Sequence, residues 1–410
     1  MPIPDPITAS AVAWMENYQL HQYRRLGIEP AIFTGIDETI LNRSIEEISS
    51  SFGVKPESLR NELNTTLKQG SASPGSRYDS PLFRGQLSEV AMGLERWLLK
   101  PLSASPLLGE LPRASPNALV VFHRGSGRHI IFFQRGQQRF FARAMGALAH
   151  ACSLRNPFGQ YDVSKLRAVE DWSLPENIYD RSFPWMLEAV LEAATGDGVS
   201  ARAIVDEVCT PNRGTHFRHY VLNVEEKKIA YVLEDCVHAF VLGHEYGHIV
   251  GPDSYKALGH FGSLPELSER EFDDFLMSMV DEGFADEVGV GLSMRRNSVE
   301  GHGPEESYLG ITLFFDLIDF LKNCVDVLKY GKIAGEDVLD SLTHPPSSTR
   351  RKAAEAVIAR TNGSPLDTER GAAIAASFRE LISYFWILAK PLFEQWHSRG
   401  LSDELAPEYR

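Results

Sequence analysis

Cysteine is scarce: the 410 residues contain four, at Cys152, Cys209, Cys236 and Cys324, and none forms a C-x-x-C pair. That spacing excludes a disulfide-stapled scaffold and a cysteine zinc ribbon, and predicts reduced, mostly buried thiols. Positive charge is also in deficit. Lys and Arg number 41 against 55 Asp and Glu, a net charge of −14, which argues against non-specific binding of nucleic acid or anionic membrane by the chain as a whole. Long apolar runs are missing too: Ile311–Leu321 is broken by Asp316 and Asp319, and Leu381–Leu388 is short. No membrane span is expected. The opening MPIPDPITAS has neither a basic leader nor an apolar core, so no secretory signal is expected and a cytoplasmic location is the default.

The acidic balance has one local exception. Between Glu110 and Asp162 there is no acid, but there are Arg113, Arg124, Arg128, Arg135, Arg139, Arg143 and Arg155. No aromatic-basic code accompanies them, so a solvated face is the expectation, ahead of a site for an acidic partner.

The length suggests about two or three domains. Residues 1–105 read as a helical region of unknown role, patterned near Ala9–Leu26, Asp37–Phe52, Lys55–Lys68 and Gln86–Leu99. Two short helices over Ile40–Leu67 resemble a helix-turn-helix but lack a basic recognition face. Gln69–Pro81 and Leu102–Pro116 are rich in Ser, Pro and Gly and read as loops. Residues 116–220 form an α/β segment. Ala118–His123 and His129–Gln134 flank R-G-S-G-R as a hairpin, and Gln138–Arg143 is a third strand or a helix start. Helices are expected at Phe141–Cys152, Phe183–Ala194 and Ser200–Val208. Thr215–Leu222 is a possible edge strand able to hold extended substrate, with His216 and His219 as surface or substrate-lining residues rather than ligands.

Residues 221–398 carry the chemistry. Asn223 with Glu226 forms a capping box, and apolar residues then recur at helical spacing from Ile229 to Val241. On that face follows V-L-G-H-E-Y-G-H-I-V, an H-E-x-x-H at His244, Glu245 and His248. Residues four apart on a helix stack, so both imidazoles can reach one metal ion, and zinc favours that geometry. Glu245, rotated off that line, sits beside the metal as a general base. Gly251 and Pro252 stop the helix.

A second helix is signalled by the capping box Ser268–Glu271. Its apolar line through Phe275 and Met279 continues to Glu282 and Asp286. Two carboxylates on a core-facing stripe need partners. Glu282 is the expected third zinc ligand, and Asp286 the group that accepts a hydrogen bond from a ligand imidazole, His244 above all. The metzincin alternative fails because Ser254 stands where a third histidine is required. His260 could replace Glu282 only if the loop after Pro252 folds back.

With H-E-x-x-H followed by Glu282-Gly-Phe-Ala-Asp286 and then by T-H-P-P-S-S-T-R, with His344, Pro345 and Arg350, the chain resembles the gluzincin peptidases that include the CAAX prenyl endoprotease and bacterial heat-shock membrane proteases. The resemblance covers roughly Ala230–Val357 and departs from the family by lacking its membrane helices. It implies a zincin-like core holding one zinc per chain, a peptide or protein substrate, and roles for His344 and Arg350 near the cleft. Physically, consecutive prolines fix the backbone at His344, and Ser347 or Ser348 can cap the helix that carries Arg350. A fixed His and Arg could stabilise an oxyanion or orient a carboxylate. The alternative for these two residues is an ordinary proline turn and a surface arginine. The expectation is an α+β, predominantly helical, zinc-dependent peptidase with a small β-sheet, active on peptide rather than membrane or nucleic acid. The alternative is a non-catalytic or latent regulatory protein with structural zinc.

Overall fold

The computed structural model describes residues 5–33, 38–39, 41–42, 45–46, 49, 55–155, 176–209, 222–255, 269–333, 346–361 and 365–409, with side chains omitted at 152–155, 176–181, 252–255, 269–280 and 365–366. The chain is predominantly helical with one small sheet. It divides into two compact units. The first contains Met1–Asp162, Pro175–Tyr231 and Glu404–Arg410; the second contains Val163–Leu174 and Val232–Asp403.

In the first unit, helix α1 (Pro6–Leu26) starts where the Asp5 carboxylate accepts the amides of Ile7 and Thr8, both at 3.0 Å, and ends at Gly27, whose φ of 67° needs glycine. Helix α2 (Pro56–Ala72) runs four residues into the expected loop Gln69–Pro81. Helix α3 (Pro81–Glu95) begins five residues before the expected Gln86, because Ser80 caps it and Pro81 supplies the first helical φ. Described residues between 38 and 49 are helical; the rest of that expected segment lies outside the described residues.

Strands β1 (Leu107–Leu111), β2 (Ala118–His123) and β3 (Arg128–Gln134) form a sheet in the order β1-β3-β2. Strand β1 runs parallel to β3, and β2 antiparallel. The hairpin is as expected. Strand β1 corrects the loop expectation for Leu102–Pro116: all five of its residues are buried, and its partner lies beyond the hairpin. A fully buried strand shows no alternation to mark it. Ala11 and Met15 of α1 pack on Leu107, Leu111, Ile130 and Phe132, and Trp14, Tyr18 and Phe132 stack in sequence.

Helix α4 (Arg135–Arg155) follows β3 directly and absorbs Gln138–Arg143 as helix. It packs on α5 (Glu176–Thr195), which is followed by α6 (Gly198–Cys209). Two arginines of the acid-free stretch meet acids far away in sequence, and of these Arg139 stays largely exposed. Arg139 pairs with Glu192 at 3.3 Å, and Arg143 pairs with Glu188 and Glu192. Thr215–Leu222, including His216 and His219, falls outside the described residues save its last position.

Helix α7 (Val224–Tyr255) begins on the expected box: Asn223 Oδ1 accepts the Glu225 and Glu226 amides at 3.0 and 2.9 Å, and Glu226 Oε2 accepts the Asn223 amide at 2.8 Å. At Gly251 the backbone leaves the helix, with φ 63° and ψ 161°. In the second unit follow α8 (Glu269–Val299), α9 (Pro304–Tyr330), α10 (Ser347–Thr361) and α11 (Pro365–Ser398). By length and composition alone Asp367–Ser398 could cross a membrane, unlike the expectation that no stretch could. It packs along α9, burying Phe378, Leu381 and Phe385. Cys236 and Cys324 are buried and outside disulfides.

Between α1, α3 and β1 lies a polar node. Asp79 accepts Gln19 Nε2, the Glu110 amide and the Ser76 amide, and Arg84 stands 3.6 Å away. Burial pushes the Glu110 carboxyl up to about 7, against the pull of the Ser80 amide and Arg135. Glu110 therefore holds its proton more tightly folded than unfolded. The stability it contributes is whole below its ordinary value of 4.5 and is lost as pH rises through about 7. The urea midpoint of the wild type should fall between pH 5 and pH 8, and Glu110→Gln should flatten that fall; an equal slope in both proteins would refute it.

Candidate metal centre

The core-facing stripe of α7 continues through Cys236 and Phe240 to His244, Glu245 and Tyr246, all buried, with His248 half-buried. Phe240 meets the rings of Phe314 and Phe315 at 5.4 Å, which ties this end of α7 to α9. Beside the histidines the helix surface is glycine, and α8 lies against it almost backbone to backbone. A Cβ at Gly247 would stand 2.5 Å from Ala285 Cα; one at Gly243, 3.1 Å from Gly289 Cα; and one at Gly289, 2.9 Å from the His244 amide nitrogen. Real Cβ atoms essentially never approach as closely as at Gly247 and Gly289, so those two positions require glycine, and at Gly243 the facing backbone would have to give by a few tenths of an ångström.

This contact brings Glu282 and Asp286, one helical turn apart, onto the two imidazoles. His244 Nε2 lies 3.5 Å from Glu282 Oε2, His248 Nε2 lies 3.6 Å from Glu282 Oε1, and the two Nε2 atoms are 3.1 Å apart. His244 Nδ1 lies 2.9 Å from Asp286 Oδ1. From α10, Arg350 grips Asp286 with two parallel hydrogen bonds of 2.8 Å, from Nε and Nη2, and places Nη1 3.2 Å from Glu282 Oε2. Its guanidinium also covers the Phe315 ring, 5.4 Å from the centroid. The neighbouring Arg351 bonds Asp316 of α9, where Arg379 of α11 also arrives at 3.4 Å. That second ion pair seats the turn of α10 that presents Arg350.

The electrostatics sort these groups. Burial favours a neutral Asp286, but the charge and hydrogen bonds of Arg350 and the contact with His244 overcome it and hold the carboxyl at about 2. Ionised Asp286 can only accept, so His244 donates through Nδ1 and keeps Nε2 for another partner. Burial would lower His244, yet the hydrogen bond and charge of Asp286 raise it. His248 drops to about 4, first from burial and then from repulsion by His244. Burial, reinforced by the charge of Glu282, pushes Glu245 up to about 7.

His244, His248 and Glu282 each offer one ligand atom, all within 4.8 Å of one another, so the group could hold a metal ion. Ligand atoms about 2.0–2.2 Å from a tetrahedral zinc are roughly 3.3 Å apart. The observed 3.1, 3.5 and 3.6 Å require only small adjustments. Of the expected site residues, the structure brings together His244, Glu245, His248, Glu282, Asp286 and Arg350. His344, Pro345 and His260 lie outside the described residues, as does Ser268. Ser347 is the first residue of α10 rather than its cap, and the Pro346 carbonyl accepts the Thr349 and Arg350 amides. Sequence reasoning missed the contact of Arg350 with Glu282 and the glycine seam. The seam's signal is G-x-x-x-G at Gly243 and Gly247 facing A-x-x-x-G at Ala285 and Gly289.

No family model, no curated protein and no solved structure matches this chain. Fold and site together define a predominantly helical protein of α+β class with a largely buried group of two histidines and a glutamate suited to a metal ion.

If the glycine seam sets the ligand geometry, Gly247→Ala should push α8 outward and weaken metal binding at least about tenfold. The overpacking should also cost on the order of 1–3 kcal/mol of stability. Gly291→Ala is the control, because its Cβ would meet nothing within 4 Å; it should leave binding intact and stabilise α8 by up to about 1 kcal/mol. Zinc titration and urea denaturation of both variants decide the matter, and equal affinities would refute the role of the seam.

Proposed function

We propose that the chain is a zinc-dependent peptidase with a zincin-like core of the gluzincin kind, holding one zinc per chain on His244, His248 and Glu282. The observation that carries this reading is the placement of Glu245. This carboxylate is buried, is pushed up to about 7, and follows His244 directly on the helix that supplies both imidazoles. Charge supports the metal. Glu245, Glu282 and Asp286 face one guanidinium, Arg350, which leaves a formal −2 that a divalent cation would neutralise.

When bound, such an ion lowers the pKa of water toward about 7 and polarises a carbonyl oxygen. The rest falls to the protein. Glu245 accepts a proton from the attacking water and delivers it to the leaving amine, a task suited to a group titrating near neutrality. Asp286 holds His244 in the tautomer whose Nε2 is available, and Arg350 keeps Asp286 ionised and steadies Glu282. His344 is the candidate for stabilising the oxyanion. The substrate is a peptide or protein.

A second reading, a latent or non-catalytic protein with structural zinc, draws on one observation: Glu245 exposes only 4 % of its surface. Elemental analysis of the wild type should give about one zinc per chain, and Glu282→Ala, prepared identically, should lose it. Glu245→Gln should keep the zinc and abolish cleavage of a mixed-sequence peptide library followed by mass spectrometry. Turnover surviving Glu245→Gln would sink the peptidase mechanism, while bound zinc without cleavage by the wild type would favour the second reading. Arg350→Lys loses the two-pronged grip on Asp286 and should weaken zinc binding by about 10- to 100-fold.

A further inference from the structure

In the first unit the end of α1, the residues after β1, the first turns of α4 and the end of α5 surround a cavity of about 500 Å³. Small-molecule pockets span roughly 300–1,000 Å³, so this one has room for a ligand. Its walls are apolar at Leu26, Ile28, Pro112 and Phe140. Elsewhere they carry charge of both signs, Arg113, Arg135 and Arg139 against Glu192, Asp197 and Glu408.

The two signs differ in how far they are satisfied. Glu192 meets Arg139 at 3.3 Å and Arg143 at 3.0 Å. Asp197 accepts the Val199 amide at 2.9 Å and the Ser200 hydroxyl at the start of α6. Glu408 Oε1 accepts the Ala114 and Ser115 amides at 2.6 and 3.1 Å. Each acid of the wall thus has two partners, and Arg139 is taken up by Glu192. Arg113 is different. Its Nη2 donates to the neutral Gln22 at 2.8 Å, its Nε is buried without an acceptor, and it pairs with no acid among the described residues. Arg135 donates to the Tyr78 carbonyl at 2.8 Å, with Glu110 no nearer than 3.9 Å. A guanidinium drawn from water without a counter-charge is costly, and its planar fork fits a carboxylate or a phosphate. What the wall lacks is therefore an anion, and its apolar residues suit one that carries a hydrocarbon body.

We propose that this cavity binds a small organic anion, whose carboxylate or phosphate group pairs with Arg113 and whose hydrocarbon body packs on Leu26, Pro112 and Phe140. Arg135 adds a second positive charge to the same wall. The site uses none of the metal-binding residues and does not depend on any peptidase activity.

The test titrates the full chain with hexanoate, hexyl phosphate and the neutral hexanol in a calorimeter. At least one of the two anions should bind saturably, one per chain, with a Kd of about 1 mM or tighter, and the tighter of the two tells which anionic group the site prefers. Hexanol should bind at least about tenfold more weakly. Arg113→Gln should weaken binding of that anion at least about tenfold, because a charge-assisted fork is lost. Arg124→Gln, which removes the same charge from the β2–β3 turn outside the cavity, should bind as the wild type does. No saturable binding of either anion, hexanol binding as tightly as both, or undiminished binding by Arg113→Gln would overturn the proposal. If Arg113→Gln does not fold, amide shifts in the wild type decide. The anion should move the signals of Ala114, Gly136 and Gly196 in the cavity wall, and shifts confined to other residues would overturn the proposal.

Discussion

Everything at the candidate metal centre depends on two helices touching where neither has a side chain larger than a methyl group. Side chains usually hold packed helices 8–10 Å apart. Here Gly243, Gly247 and Gly289 with Ala285 remove that spacer, and short side chains from one helix can then reach imidazoles on the other. Glutamate and aspartate at positions 282 and 286 would otherwise fall short of His244 and His248. The seam also excludes water from one side of the cluster, so hydrogen bonds among these charged groups are strong and an unpaired group would be expensive.

That expense explains the rest of the arrangement. A buried carboxylate persists in ionised form only with full compensation, and Asp286 receives it from three donors: two nitrogens of Arg350 and one of His244. Arg350 in turn needs α10 held firmly. The next residue along, Arg351, ties α10 to Asp316 on α9, and Arg379 joins from α11. The polar groups thus form a chain from the periphery of the helical unit to its centre, each setting the orientation of the next. Glu245, where burial and the charge of Glu282 outweigh the pull of His244 and Arg350, is the one carboxylate of the site pushed up to about neutrality.

What was legible in the sequence was local. The Asn223–Glu226 box, the hairpin about R-G-S-G-R and the break at Gly251 are set by residues a few positions apart, and a reader sees all of them at once. The pairing of H-E-x-x-H with Glu282 and Asp286 could be read because helical spacing carries both pairs onto one face. Strand β1 was not legible: its five residues are all buried and pair in parallel with a strand beyond the hairpin, so neither alternation nor an adjacent turn betrays it. Nor was the fate of Arg139 and Arg143, whose acidic partners Glu188 and Glu192 lie on another helix. The glycine seam was overlooked for a different reason, since small residues carry no chemistry of their own and matter only through what approaches them.

The position of Arg350 in the chain has a bearing on how the protein comes into being. It follows Asp286 by 64 residues, so during synthesis the acids of α8 leave the ribosome well before their counter-charge exists. Until α10 arrives, burying those carboxylates against the histidine helix is electrostatically unfavourable, and the nascent segment gains by keeping them in water. Closure of the centre is thereby deferred until α10 has been made, a timing written into the linear order of an acid and a base.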